Sequence, residues 1–204
     1  VYHYGGMVVP NSFLCMQNLK PIYDKQMLEN KPFVCEAPNK SHDMLTHTKQ
    51  PLFSASTYIM GAPKNDDTVS SIVSYLENRN ARSHFTDEYQ FKNDLATFLS
   101  TLTNTKQVDL IDGTLVGVKS SVGKPILLDH LMEQQPLSLN PDCVGLYIPS
   151  EEILSRTKYQ WFAALSEDSV LEAECALTTI MLESVSTHQL PSRQGDIHRS
   201  IAAI

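Results

Sequence analysis

Between Pro149 and Val185 the chain carries two helix starts in quick succession, and the rest of the fold must pack around them. Ser150-Glu151-Glu152 opens a helix-forming run through Leu165, with the Ser150 hydroxyl suited to accept a bond from a free N–H of the first turn. The acidic pair also suits the positive end of the helix dipole. After a break at Ser166 comes Ser169-Val170-Leu171-Glu172, the S-x-x-E spacing of a capping box, preceded by Glu167 and Asp168. The pattern predicts helices over about 151–165 and about 168–186. Trp161, Leu165 and Leu154 recur at helical spacing and read as core.

In the second helix Val170, Ala173, Leu177, Ile180, Met181 and Ser184 fall on one face, while Leu171, Cys175, Thr178 and Leu182 line the adjoining stripe. So wide an apolar arc predicts a helix buried on two sides or covered by a partner. No Lys or Arg occurs between Lys158 and Arg193, so whatever is exposed there is negative. Glu172, Glu174 and Glu183, with Leu171 and Leu182, are therefore the candidate partner-binding residues. The plainer alternative is a core helix with a solvated acidic edge.

The remainder of the chain mixes short strands with helices. Met7-Val8-Val9 and Phe13 to Met16 are short apolar runs, strands or buried connections. Pro21 to Asn30 reads as a short helix with Ile22, Tyr23, Met27 and Leu28 toward the core, and Pro32 to Cys35 as a strand. A polar loop follows from Glu36 to Gln50, then a β-like run from Pro51 to Met60. Asp66 or Asp67 caps a helix whose Val69, Ile72, Val73 and Leu76 match the i, i+3, i+4, i+7 template. Thr86 opens another, with Phe91, Leu95, Phe98, Leu99 and Leu102 on one stripe. Asp112-Gly113, between two β-like runs, predicts a type I′ hairpin pairing Ile111 with Thr114 and Leu110 with Leu115. Gly123 to Gln135 reads as a helix, with Leu127, Leu128, Leu131 and Met132 apolar, and Val144 to Ile148 as a last strand. The expected architecture is α+β: a single domain over 1–185, with a small, largely antiparallel sheet covered by amphipathic helices, and a C-terminal tail over 186–204 that is mobile or docks on a partner.

Sixteen basic and 23 acidic residues give a net charge of −7, with the cations scattered singly. That disfavours a general nucleic-acid binder and an anionic membrane surface, both of which call for a basic face. No run approaches the ~20 apolar residues of a membrane helix. Cys15, Cys35, Cys143 and Cys175 contain no close pair, so four buried thiols in a reducing cytosol are expected. One sequon occurs, at Asn39-Lys40-Ser41, and matters only in a secreted chain.

Catalytic motifs fail one by one. Gly117 to Lys124 resembles a phosphate loop, but five residues separate its glycines instead of four, and Pro125 replaces the magnesium-binding hydroxyl while deleting an N–H. Ser121/Lys124 and Ser155/Lys158 fit S-x-x-K without its companion motifs. Cys35, His42, Asp43 and His47 crowd into one stretch, with a spacing compatible with zinc but lacking the usual close cysteine pair. No catalytic, cofactor or metal residue is assigned, and an enzyme is not expected.

The whole chain's character, small and acidic, rich in Asn, Gln, His and Thr, with wide-faced acidic helices and no catalytic set, resembles the accessory adaptors of bacterial type IVB (Dot/Icm) secretion coupling complexes, of the LvgA type. That resemblance implies a cytoplasmic, chaperone-like subunit that binds the coupling ATPase's tail and small partners, and helps recruit secreted substrates. A non-catalytic adaptor in a hetero-complex is thus the expected function, without cofactor. The alternative is a small hydrolase or transferase with a thiol or metal site in the Cys35 to His47 region.

Overall fold

The computed structural model describes residues 1–39, 52–82 and 88–187. It shows an α+β protein with a four-stranded sheet, a two-stranded sheet and, among the described residues, eight helices. The chain gathers into two compact units. Unit 1 takes Val1–Pro10 and Asn18–Gly113, and unit 2 takes Asn11–Gln17 and the chain from Thr114 onward.

Unit 1 is built on strand β3 (Phe33–Pro38), which pairs antiparallel with β4 (Phe53–Ala62) and parallel with β5 (Asp109–Ile111). β1 (Gly6–Val8) pairs antiparallel with the far end of β4, giving the order β1-β4-β3-β5. Phe33, Val34 and Cys35 are buried in succession, so the first half of this strand is a continuous apolar run, while burial alternates over Glu36, Ala37 and Pro38. Between Val34 and Cys35 the register slips, so that Thr57, Tyr58 and Ile59 fall between consecutive partners on β4. Helix α1 (Lys20–Leu28) buries none of its residues, and Leu28 is exposed rather than turned to the core.

Two long helices complete this unit, α2 (Asp67–Arg82) and α3 (Glu88–Asn104). The Asp66 carboxylate accepts the Val69 N–H at 2.9 Å, the cap expected from the sequence. Ile72 of α2 and Leu99 and Leu102 of α3 join Val34, Ala55 and Val108 in one core. Tyr75 stacks on Phe98 at 4.1 Å between ring centroids, and Arg79 pairs with Asp94. Val73, expected on the buried stripe, is exposed.

The hairpin expected at Asp112-Gly113 does not form. β5 pairs with β3 instead, and the Gly113 N–H donates to the Glu36 carboxylate at 2.8 Å. Gly113 is not among the glycines with positive φ, so the type I′ conformation is absent and the dipeptide marks the passage from unit 1 to unit 2.

Unit 2 opens with β2 (Phe13–Cys15), which pairs antiparallel with β6 (Gly145–Tyr147) although about 130 residues of chain separate them. Residues 118–126 fold back on themselves: Lys119 bridges Pro125, and the Ile126 N–H donates to the Val118 carbonyl at 2.9 Å. This turn, with Gly123 at φ 81°, occupies the first part of the helix expected over 123–135. Only one turn of helix remains, α4 (Leu128–Leu131), whose preceding residue Leu127 donates its N–H to His130 Nδ1 at 3.0 Å.

The two expected C-terminal helices are four: α5 (Ser150–Ser155), α6 (Gln160–Ala163), α7 (Glu167–Glu172) and α8 (Ala176–Thr187). Pro149, not Ser150, occupies the first cap position, and no side chain caps α5. Ser166, not Ser169, caps α7, accepting the Ser169 N–H at 3.3 Å. The longer helix breaks because groups elsewhere satisfy its backbone. Ala176 donates its N–H to the Glu133 carbonyl at 2.7 Å, and Thr178 Oγ1 donates to the Val170 carbonyl at 2.9 Å. Leu128, Leu131, Leu146, Ile148, Ile153, Phe162, Leu177, Ile180 and Met181 make this unit's core.

Candidate binding surface

The acidic stretch singled out in the sequence spans α7, the connection after it, and α8. Glu172 ends α7 and is exposed, and Glu174 is exposed in the connection, where its carboxylate accepts Gln134 Nε2 at 2.9 Å. Glu183 is exposed on α8 beside Leu182, which is 43% exposed, while Leu171 is half-buried on α7. The break at 173–175 puts Leu171 and Leu182 on separate helices, so the five residues do not share one continuous helix face. On α8 itself the inner side is apolar as expected, with Leu177, Ile180, Met181 and Ser184 buried. Ser184 Oγ also donates to the Cys15 carbonyl at 3.1 Å, tying α8 to β2.

Leu154 and Trp161, read as core from the sequence, are 63% and 49% exposed. Their neighbours Ile153 and Phe162 are buried instead. The extended backbone at Arg156 and the turn through Tyr159 reset the helical phase, so the spacing that linked Leu154, Trp161 and Leu165 has no meaning across the gap. α5 and α6 pack together, and Gln160 Nε2 donates to the Leu154 carbonyl at 2.9 Å. Glu151 lies one turn before Leu154 and is also exposed, so an acidic group flanks the apolar one.

The same gap is held by a charged cluster that no motif announced. Arg156 donates to both Asp129 oxygens, at 2.7 and 2.9 Å, and the buried Tyr159 hydroxyl donates to Oδ1 at 2.6 Å. Lys158 Nζ lies 3.7 Å from the same carboxylate and 4.8 Å from the Tyr159 ring centroid. The hydrogen bonds from Arg156, aided by Tyr159, hold the Asp129 carboxyl well below the usual carboxylate range against the opposing effect of burial. The two-pronged Arg156 pairing and the Tyr159 bond tie these side chains together, so the cluster is a clasp joining α4 to the α5–α6 link.

Because its folded pKa is depressed, Asp129 contributes stability that is present above its unfolded pKa of about 4 and is lost as pH falls through the folded value. With both partners' side chains 38% exposed, solvent reduces that contribution to about 1–2 kcal/mol. Asp129→Asn is expected to lower stability by this amount at pH 7. In urea titrations the gap between variant and wild type closes as pH falls below about 5, and a gap constant with pH would contradict the clasp.

Neither S-x-x-K pair is assembled for catalysis. Ser121, in the exposed part of the turn at 121–124, has its Oγ 2.5 Å from Ser138 Oγ. Lys158, which would have to lose its proton to activate Ser155, is shifted upward, chiefly by Tyr159, toward keeping it.

Of the Cys35 to His47 group, Cys35 is buried in β3, and burial pushes its thiol up to about 12, the opposite of a nucleophile's requirement. His42, Asp43 and His47 lie outside the described residues. Among the described residues no group of three or more His, Cys, Asp or Glu converges as a metal site would require. Cys143 and Cys175 are buried, but Cys15 is exposed, correcting the expectation of four buried thiols. In the native protein at pH 8 one thiol, Cys15, is therefore expected to react with a disulfide reagent and the other three only after denaturation. Prompt labelling of Cys35 would show the strand to be open.

Unit 1 contains a cleft of about 440 Å³ between β4 and α3, floored by Ala55, Leu95 and Leu99 and edged by Ser54, Ser56, Thr57 and Asn93. Lys92 Nζ stands 5.8 Å from the Tyr58 ring centroid at its side. Among the described residues no carboxylate, histidine or cysteine lines the cleft.

Compared with known proteins, the chain matches no family model, no curated protein and no solved structure. Among the described residues no helix is long and apolar enough to cross a membrane.

Proposed function

We propose that this chain is a non-catalytic, adaptor- or chaperone-like protein that binds protein partners within a larger complex. The observation that carries the reading is the outward placement of Trp161 and Leu154 on adjoining helices whose neighbouring residues are buried. A single exposed leucine means little, but a half-exposed tryptophan on the helix that packs against the leucine's own is the composition of a protein-binding hot spot. Leu182 and Glu183 on α8 repeat the pairing of an apolar side chain with an acidic one. The setting that goes with this reading is the cytoplasm, and the resemblance to type IVB coupling-complex adaptors supplies the task, recruitment of secreted substrates.

The test is capture from the native cell extract by three baits: wild type, Leu154→Ser/Trp161→Ser, and Glu172→Lys/Glu174→Lys/Glu183→Lys. A defined partner held by wild type and reduced at least about tenfold by one surface variant, with thermal unfolding unchanged, is the expected result, since losing hot-spot residues removes 1.4 kcal/mol or more. Equal capture by all three baits would move the interface elsewhere, and no enrichment over blank resin would sink the adaptor reading. Co-purifying zinc would favour the hydrolase or transferase alternative instead.

A further inference from the structure

No further inference is drawn: the strongest candidate, the cleft between β4 and α3, is bordered by residues 39 and 91–93 next to segments outside the described residues, and nothing in the structure shows what covers it.

Discussion

Gly117→Ala is expected to destabilise unit 2 by roughly 3 kcal/mol, through two separable costs. Gly117 sits at φ 66°, where a side chain costs about 1–2 kcal/mol. A Cβ at this position would also lie 2.6 Å from the Gly145 carbonyl oxygen and 2.8 Å from Leu146 Cα. Both are backbone atoms of β6, which is held by β2 on one side and whose Leu146 is fully buried, so neither atom can withdraw cheaply. Gly123 supplies the control, because it too has positive φ, at 81°, but a Cβ there meets nothing within 4 Å. Gly123→Ala should thus lose only the conformational part, about 1 kcal/mol. The chain's single tryptophan, Trp161, belongs to unit 2, so urea unfolding followed by its fluorescence reads the unit concerned. Equal losses from the two substitutions would show that 117 does not press against β6.

The elements that the sequence specifies well are those whose information is local. α2 begins where Asp66 caps it, and Val69 and Ile72 are buried as their spacing requires. β3 and β4 follow in part from their apolar and β-branched runs, but β3 continues through Glu36, Ala37 and Pro38, where a loop is expected, and β4 continues through Gly61 and Ala62. Misreadings occur where a distant group decides the backbone. Glu36, 77 residues away, takes the Gly113 N–H that a hairpin would have used differently. Glu133 draws the Ala176 N–H out of a helix that periodicity would have run straight through. Asp129 and Arg156 are 27 positions apart on different elements, and no spacing rule brings them together.

The candidate surface was legible to the same extent. The absence of Lys and Arg between Lys158 and Arg193 marks α7 and α8 as acidic, and Leu182 is exposed next to Glu183. The exposure of Trp161 and Leu154 is not legible in the sequence because a 3.6-residue period has no meaning across Arg156, where the helix stops. That β2 belongs with residues after 114 was not readable either, since a three-residue strand carries too little pattern to name its partner.

The second large effect contrasts two leucines on α8. Leu177 is fully buried among the side chains of unit 2's core, which also draws on α4, β6 and α5. Leu177→Ala is expected to cost about 3–4 kcal/mol, because the lost transfer energy is compounded by a cavity whose walls belong to several elements and collapse only partly. Alanine's better helix propensity returns only a few tenths of a kcal/mol, so it cannot offset this. Against a total stability of about 5–15 kcal/mol, such a loss moves the urea midpoint of the Trp161 signal far down while leaving its slope unchanged. Leu182, five residues on and 43% exposed, is expected to lose less than about 1 kcal/mol on the same change. If α8 lies as described, Leu182→Ala will therefore unfold almost like wild type. It can then serve beside Glu183 as a probe of partner binding that does not disturb the fold. A midpoint shift at Leu182 rivalling that at Leu177 would mean that α8 is covered on both sides, leaving no outer face on this helix for a partner.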